Sequence, residues 1–364
     1  MKILIVSQEF PPKIGGAGTI AEQNASELSG RGHEVTVVTK MSKDIDTHLS
    51  CSYHKIYVRE WPKLWPICYR MRIAPNLYDC ILLNDLPSLI YGGIFLSKEK
   101  WRRTICFLHG SEPETIFQNL QISRRLLGYK YFFCRAMKHC RLIIVPSNYM
   151  KDKLINISQG QIDESKVQVH YAGINDSLFG GAETYAARTS KQVRIISASR
   201  IDKRKGYIRM YNIFKTLCTQ KGPDEDYIWT VVGDGPYLKK FQELVYQEGF
   251  APYIKFTGRL SRQETSDLYR KQDIFWLLSD YDEALGLVYL EAQACGLPVI
   301  ANNRGGTSEA IIDKVTGYIT CTDKDVIQII KMRAWSSLDK TNIVSFAKQF
   351  MLSTSINKLE KLLC

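Results

Sequence analysis

Short runs of apolar residues alternate with helix-patterned segments along almost the whole chain, and this alternation constrains the fold more than any other feature. Five such runs lie in the first half of the chain: residues 2–7, 34–39, 80–84, 104–109 and 142–147. Continuous apolar runs of this length are typical of parallel strands that are buried on both faces. The segments between them, which include 18–30, 122–139 and 147–157, have a helical period. We therefore predict a doubly wound α/β domain.

A second series of strands with the same character begins after residue 192. Its apolar runs are residues 193–200, 227–235, 254–258, 274–279, 298–302 and 317–321. The Gly-, Ala- and Thr-rich stretch 172–192 is weakly periodic and is the best candidate for a linker. The sequence thus predicts two similar domains, 1–175 and 176–344, that face a cleft in which ligands bind at the carboxyl ends of the strands. We expect a final helix, about 345–364, to cross back to the first domain.

Composition narrows the class of protein. The 364 residues are 45% hydrophobic and 24% charged, which is typical of a globular protein in water. No apolar run reaches the roughly 18 residues of a membrane-spanning helix, so we expect a cytoplasmic chain. The ten cysteines are scattered and include no C-x-x-C pair, which argues for a reducing compartment and against zinc. The net charge of +12 favours an anionic partner, either a membrane surface or nucleic acid, without choosing between them.

Glu291 is the most unusual side chain, because it lies inside an apolar helical stripe. Residues 283–300 are predicted to form a helix of about three turns that ends at Gly296 and leads into a strand. At about 100° per residue, Glu291 falls in the middle of the apolar face, whereas the polar Tyr289 and Gln293 point the opposite way. A carboxylate in such a place must find partners, because burying it unpaired is costly.

Two cations follow the first strand of the second series. Arg200 ends the run 193–200, and Lys205 comes five residues later, before a helical segment. Cations at the carboxyl tip of a parallel strand, beside a helix N-terminus, suit a diphosphate ligand. A solvated basic loop would show the same residues, so this segment alone supports both interpretations.

Glycines after the first strand and a histidine at the end of a later one are further candidates. Gly16, Gly18 and Ala21 match the dinucleotide pattern G-x-G-x-x-A, but they follow the strand by some nine residues, and the second strand ends without the acidic residue that a ribose needs. We therefore discount a nicotinamide site, although Gly15 and Gly16 still permit a ligand to approach the backbone closely. His109, at a strand tip, is either a structural histidine or a cleft residue.

With these segments in view, the chain resembles glycosyltransferase family 4, whose members have the two-domain GT-B fold. The resemblance covers nearly the whole chain, and its most specific element is an E-x7-E motif from Glu283 to Glu291. Supporting segments stand in the family's order and spacing: PSNYM (146–150), VHYAGIND (169–176), SASRIDKRKG (197–206), VVGDGP (231–236) and FTGRLS (256–261). Two departures concern the identity of the sugar: Leu285 stands where an aromatic residue is frequent, and Thr307 and Ser308 follow the Gly-Gly pair where apolar residues are commoner.

The resemblance implies a role for each candidate residue. Glu291 would bind the ribose hydroxyls of the donor nucleotide, and Glu283 would lie near the hydroxyls of the donor sugar. Arg200 and Lys205 would neutralise the leaving diphosphate. The other residues expected to contact the donor are Gly15, Gly16, Gly235, Gly286, Leu287, Val288 and, at the sugar, His109.

The activity that the resemblance implies is transfer of a sugar from a UDP- or GDP-sugar, with retention of anomeric configuration. The resemblance also implies that no cofactor and no obligatory metal are needed. The D-x-D triplet from Asp280 to Asp282 is a pattern that occurs easily by chance, so we do not interpret it as a metal site. The expected acceptor is a glycan, lipid-linked as in bacterial O-antigen or capsule assembly. Basic and aromatic residues interleave in 59–72 and 123–141, as in proteins that bind anionic membranes, although core aromatics and solvated cations would look the same.

Three alternatives have less support. A sugar-nucleotide epimerase or a phosphorylase shares the GT-B architecture, but the E-x7-E frame with its two cations fits a transferase better. An NAD-dependent oxidoreductase would need a convincing dinucleotide turn, which the chain lacks. A nucleic-acid-binding protein is suggested by charge alone and would leave Glu291 without a role, so we predict no nucleic-acid partner.

Overall fold

The computed structural model describes residues 1–11, 15–42, 51–60, 65–180, 191–222 and 225–363. The chain divides into two compact units: unit 1 comprises Met1–Gly173 together with Thr354–Cys364, and unit 2 comprises Ile174–Ser353. Each unit is built around its own parallel sheet. Residues 181–190 of the predicted linker and residues 61–64 of the first basic, aromatic stretch lie outside the described residues.

Unit 1 contains a parallel sheet in the order β3-β2-β1-β4-β5-β6-β7. Its strands are Lys2–Val6 (β1), Glu34–Lys40 (β2), His54–Val58 (β3), Cys80–Leu83 (β4), Thr104–Phe107 (β5), Leu142–Val145 (β6) and Val167–Val169 (β7). The five predicted strands are confirmed. β3 and β7 escaped prediction because they are only partly buried and polar residues interrupt their apolar runs. The chain reverses its direction across the sheet between β1 and β4, so a ligand crevice is expected at the carboxyl ends of these two strands.

Unit 2 also contains a parallel sheet, with the strand order β10-β9-β8-β11-β12-β13. Its strands are Gln192–Ala198 (β8), Asp226–Val232 (β9), Ile254–Gly258 (β10), Ile274–Leu277 (β11), Val299–Asn302 (β12) and Gly317–Thr320 (β13). All six were predicted. Trp229 and Trp276 pack edge to face in its core and are fully buried. The direction reverses between β8 and β11, which makes their carboxyl ends the second expected crevice.

Helices cover the two sheets, and two predicted helices are each divided in the structure. The helices are Gly16–Gly30 (α1), Trp65–Arg72 (α2), Leu86–Phe95 (α3), Lys98–Trp101 (α4), Glu112–Phe117 (α5), Ile122–Leu126 (α6), Tyr129–His139 (α7), Asn148–Ser158 (α8), Asp176–Phe179 (α9), Tyr207–Thr219 (α10), Leu238–Gln247 (α11), Arg262–Tyr269 (α12), Leu287–Ala294 (α13), Thr307–Ala310 (α14), Asp323–Lys331 (α15), Lys340–Lys348 (α16) and Leu352–Leu363 (α17). The segment 122–139 breaks at Gly128, whose φ of +69° interrupts the helix between α6 and α7. No helix within the described ranges combines the length and the apolarity that crossing a membrane requires.

The C-terminal residues return to unit 1, as the sequence predicts. The prediction of one continuous helix over 345–363 is wrong, because α16 and α17 are separate helices. On α17, Glu360 accepts a hydrogen bond from Arg31 at 3.0 Å and lies 2.9 Å from His33 Nε2. These contacts fasten the end of the chain to the segment that follows α1.

Candidate functional site

The carboxyl end of β8 presents the two predicted cations in different surroundings. Arg200 is exposed at the strand tip. Lys205 ends the 3₁₀ turn Lys203–Lys205, and its ammonium donates a hydrogen bond to Glu283 Oε1 at 2.6 Å. The side chains of Lys205 and Glu283 are only 24% and 13% exposed. The structure therefore brings Lys205 and Glu283 together as a half-buried ion pair and leaves Arg200 open to an anionic ligand.

Main-chain contacts hold the loop that carries Glu283. The amide of Gly306 donates to the Glu283 carbonyl at 2.7 Å. The amide of Tyr281 donates to the Arg204 carbonyl at 3.1 Å, which joins this loop to the turn before α10. A Cβ on Gly305 would lie 2.4 Å from the Glu283 carbonyl oxygen, so no larger residue fits there. The Gly-Gly pair thus positions the loop that presents Glu283.

The D-x-D triplet has a structural partner for one of its carboxylates. Asp282 Oδ1 accepts a hydrogen bond from Arg304 Nε at 3.2 Å, and Asp280 is exposed. In the part of the chain that the structure describes, no group of three or more His, Cys, Asp or Glu side chains is placed to hold a metal ion. That the expected reaction needs no metal stays a prediction.

The helix that carries Glu291 begins later than the sequence predicts. α13 has eight residues, about two turns, because residues 283–286 form the irregular loop described above. Gly286 precedes it with a φ of +91°, and a Cβ there would lie 2.5 Å from the Tyr289 ring. Gly286 at the N-cap has no side chain, and no described side chain accepts from the amides of Leu287 and Val288, so these amides remain available to a ligand.

α13 is buried on both faces, which overturns the prediction that Tyr289 and Gln293 face away from the core. Both side chains are fully buried. The Tyr289 hydroxyl donates to the Leu277 carbonyl at 2.7 Å, and Gln293 Nε2 donates to the Ala310 carbonyl at 2.7 Å. Backbone carbonyls thus accept hydrogen bonds from the Tyr289 hydroxyl and the Gln293 amide nitrogen, two groups that helical periodicity alone assigned to solvent.

Glu291 is mostly buried and has only a distant partner. Its side chain is 13% exposed, and Oε1 lies 3.8 Å from Arg262 NH1. Burial raises the pKa of Glu291, and the Arg262 guanidinium opposes that shift from a distance too long for a hydrogen bond. Among the described residues, none donates a hydrogen bond to this carboxylate. Its two oxygens are therefore able to accept hydrogen bonds from a ligand.

The raised pKa of Glu291 predicts the sign of its effect on stability. Above that pKa the folded protein keeps a poorly hydrated charge that the unfolded chain would hydrate, so the free energy of unfolding falls as the pH rises through it. We expect Glu291→Gln, without nucleotide, to stabilise the protein at pH 7 by about 1 kcal/mol, or about 2–4 °C in Tm. Thermal unfolding at pH 7 and pH 4 measures this.

The gain from Glu291→Gln should shrink at pH 4, where the wild-type carboxyl takes up its proton. Glu34→Gln is the matched control, because Glu34 is exposed and forms only a surface ion pair with Lys2 at 3.5 Å. A gain as large at pH 4 as at pH 7 would contradict the assigned cause.

Glycines also allow the loops after β8 and β9 to approach each other. A Cβ on Gly233 would lie 2.0 Å from the Ser199 carbonyl oxygen, and one on Gly235 would lie 2.3 Å from that of Ile201. These approaches set the direction of the backbone on either side of Arg200. Gly235 therefore has a packing role, and its contact with the donor stays a prediction.

In unit 1, Gly15 and Gly16 stand at the start of α1. Gly16 is exposed, and a Cβ there would meet no atom within 4 Å. Gly15 is covered by the Glu9 carboxylate, whose Oε1 accepts a hydrogen bond from the Gly18 amide at 3.2 Å. The α1 N-terminus thus already binds one carboxylate, while Gly16 remains open to a ligand.

His109 follows β5 and is oriented by Asn84, a residue that sequence reasoning missed. The Asn84 amide nitrogen donates to Ser7 Oγ and to the Ala17 carbonyl, both at 3.0 Å. Its oxygen, 3.2 Å from His109 Nε2, is then the acceptor, so Nε2 carries the ring proton. Glu112 also holds the loop, since it accepts from the His109 amide at 3.0 Å. The position of Asn84 directly after a predicted strand was the signal that could have identified it.

A cavity of about 270 Å³ opens beside these residues at the crevice between β1 and β4. Asp85, also missed from sequence, accepts hydrogen bonds from the amides of Gln8 at 2.6 Å and Glu9 at 2.9 Å. Burial raises the pKa of Asp85, and these hydrogen bonds oppose the shift. We call this space the unit-1 cavity, and its lining residues are Gln8, Glu9, Ala17, Asp85, Leu86, Pro87, Ser111, Glu112 and Thr115.

Comparison with known proteins identifies the family. Residues 14–178 match the family described as Glycosyltransferase Family 4, and residues 186–335 match Glycosyl transferases group 1. The chain is 30% identical over 345 residues to a GDP-mannose-dependent alpha-(1-6)-phosphatidylinositol monomannoside mannosyltransferase of Mycobacterium tuberculosis, an alignment that covers 87% of this chain and 84% of that protein. The chain belongs to glycosyltransferase family 4.

Further relatives agree with this assignment. The glycosyltransferase is 24% identical over 333 residues to the lipopolysaccharide 1,2-N-acetylglucosaminetransferase of Salmonella typhimurium, covering 86% of this chain and 81% of that protein. The solved structure of Anabaena HepE in complex with UDP superposes with a TM-score of 0.78 at 21% identity, covering 100% of this chain and 99% of HepE. The two-domain GT-B fold predicted from sequence is confirmed, and the oxidoreductase and nucleic-acid alternatives lose their support.

Proposed function

We propose that the protein transfers a sugar from a GDP- or UDP-activated donor to a lipid-linked glycan acceptor, with retention of configuration and without an obligatory metal. The observation that carries the donor assignment is Glu291, a mostly buried carboxylate whose hydrogen-bonding capacity the described residues leave unused. Two ribose hydroxyls would satisfy it. The related mannosyltransferase is named for its use of GDP-mannose, which supports a nucleotide-sugar as the donor.

The residues of unit 2 provide the charges that such a transfer needs. Arg200 and Lys205 offset the negative charge that develops on the departing nucleoside diphosphate, and the uncapped amides of α13 add further donors. Glu283, held by Lys205, accepts hydrogen bonds from the sugar hydroxyls. The bond from the sugar to the phosphate oxygen breaks while the bond to the acceptor oxygen forms on the same face. The departing phosphate takes the proton of the acceptor hydroxyl, so no protein nucleophile is required.

Calorimetric titration with GDP, UDP and NAD tests the donor assignment. We expect one nucleoside diphosphate to bind in the micromolar range, and Glu291→Ala to weaken that binding about 10- to 100-fold, since two hydrogen bonds to a charged group are lost. Glu34→Ala removes an exposed carboxylate at the amino end of β2 and should bind as the wild type does. Binding of NAD alone, or equal affinity of the wild type and Glu291→Ala, would overturn the proposal.

An exposed, basic and apolar surface on unit 1 supports a membrane-associated acceptor. The short helix α6 has no buried residue, and Ile122 and Leu126 are 79% and 83% exposed. Arg125 is exposed on the same helix, and Tyr131 is 66% exposed on the next. Apolar side chains interleaved with cations suit the interface of an anionic membrane. In the other predicted stretch, Met71 on α2 is 80% exposed.

Co-sedimentation with vesicles that contain anionic lipid tests this surface. We expect the wild-type protein to sediment with such vesicles at low salt and to be released as salt increases. The double variant Arg125→Glu, Leu126→Ser should reduce the bound fraction severalfold, because it removes both the charge and the apolar contact. Met332→Ser is the control, since Met332 is an equally solvated apolar side chain of unit 2, 69% exposed. Wild-type protein that stays in the supernatant at low salt would rule out this part of the proposal.

A further inference from the structure

The charges of the residues that line the unit-1 cavity limit the charge of a ligand that can bind there. Three carboxylates, those of Glu9, Asp85 and Glu112, line its wall, and none of the described lining residues is a lysine or an arginine. Lys153, which reaches the same region, donates to the Gly110 carbonyl at 3.2 Å and forms an ion pair with Glu114. The described wall of the cavity is therefore acidic.

The carboxylates of the unit-1 cavity differ in their remaining capacity to accept hydrogen bonds. Asp85 accepts hydrogen bonds from two amides of the segment after β1, and Glu112 accepts them from the His109 amide at 3.0 Å and from the next amide at 2.7 Å. These two groups mainly shape the wall. Glu9 binds the Gly18 amide through Oε1, and its Oε2 accepts no hydrogen bond from the described residues. Glu9 can therefore accept a hydrogen bond from a ligand hydroxyl.

The remaining lining residues suit a sugar ring. Within the described residues, the hydroxyls of Ser111 and Thr115 make no hydrogen bond, so each can donate to or accept from a ligand. Leu86 and Pro87 provide an apolar surface for the C–H face of a ring. Six of the nine lining residues are polar, so the cavity offers mainly hydrogen-bonding groups, which suits a ligand with several hydroxyls.

We propose that the unit-1 cavity binds an uncharged sugar ring, the accepting end of the acceptor, and excludes rings that carry a phosphate or carboxylate group. This inference rests on the proposed transferase function and adds the chemical class of the acceptor. A phosphate of about −1.5 to −2 charge beside three carboxylates is repelled, and no described lining side chain can neutralise it. The phosphate of a lipid carrier must therefore lie outside the cavity.

Binding of matched glycosides to the full chain, in the absence of donor, tests the inference. The probes are octyl glucoside, galactoside and mannoside, each compared by saturation-transfer NMR with the same glycoside phosphorylated at C6. We expect at least one neutral glycoside to bind at least about tenfold more tightly than its phosphorylated counterpart. Glu9→Gln keeps the shape and removes one charge, so it should reduce that ratio at least about threefold. Glu34→Gln, the same change at the amino end of β2, should leave the ratio unchanged.

A second pair of variants tests the hydroxyl contacts independently of charge. Thr115→Val should weaken binding of the neutral glycoside severalfold, and Thr115→Ser should restore it, because serine keeps the hydroxyl. The inference is overturned if the phosphorylated glycosides bind as tightly, if Glu9→Gln leaves the ratio unchanged, or if no neutral glycoside binds below about 10 mM. Nucleotide calorimetry separates the two failures. Lost nucleotide binding contradicts the proposed function, whereas intact nucleotide binding with a preference for phosphorylated rings contradicts only this inference.

Discussion

Arg200→Ala is expected to reduce kcat for transfer by about 10²-fold or more, with little effect on thermal stability. The side chain is exposed at the carboxyl tip of β8, so its removal leaves no cavity in the core. In the proposed mechanism its charge offsets the negative charge that develops on the leaving diphosphate, and the loss of one such group typically costs two to three orders of magnitude in kcat. Release of the nucleoside diphosphate, measured with the donor that calorimetry identifies, reports this loss.

Lys203→Ala provides the matched control for Arg200→Ala. Lys203 is an exposed cation on the neighbouring turn, and its ammonium lies 6.0 Å from the centre of the Tyr237 ring. We expect its removal to change kcat less than threefold, because the proposed mechanism does not use it. Near-normal turnover of Arg200→Ala, or equal losses in the two variants, would show that Arg200 does not stabilise the leaving group.

Lys205→Ala and Glu283→Ala are expected to lower kcat by about 10²-fold each, and the double variant by little more than either alone. The ammonium and the carboxylate are 2.6 Å apart and half-buried, so removing one partner leaves the other charge unpaired and displaced. Each residue therefore depends on the other for its position. A double-mutant cycle on the rate of nucleotide release measures this coupling.

The ion pair of Lys215 and Glu248 is the control for that cycle. Both side chains are 36% exposed, and neither has a part in the proposed reaction. The two single variants and the double variant should all retain kcat within about twofold, as expected for a solvated pair. Fully additive losses of kcat in the Lys205 and Glu283 cycle would show that the two residues act independently and that their ion pair does not contribute to catalysis.

Strand positions were predictable because parallel strands in such sheets are buried on both faces and need continuous apolar runs. All eleven runs identified in the sequence are strands. The ends of ten of them differ from the prediction by one or more residues, and those of 254–258 agree with it. The edge strands β3 and β7 were not predictable in this way, since His54–Val58 and Val167–Val169 are only partly buried. The pattern of residues also identified Glu291 as a carboxylate among apolar neighbours. The same pattern wrongly predicted that Tyr289 and Gln293 face away from the core.

The contacts of the candidate site depended on residues that are distant in sequence. Lys205 and Glu283 are separated by 78 positions, and Asn84 and His109 by 25. No local pattern encodes such distances, because they arise from the order of strands in the sheet. The same holds for Asp85, whose hydrogen bonds to the amides after β1 require β1 and β4 to be neighbours.

Strand burial and motif spacing are local properties, so the two α/β domains, the family and the candidates for the donor-side residues could be inferred from the sequence alone. The fold decides which charges are paired and which remain free. It pairs Lys205 with Glu283, leaves Arg200 exposed, and gives Glu291 no hydrogen bond from the described residues. It also gathers three carboxylates around the unit-1 cavity. The physical reason is that the energy of a charge depends on its burial and on its nearest partners, and folding sets both.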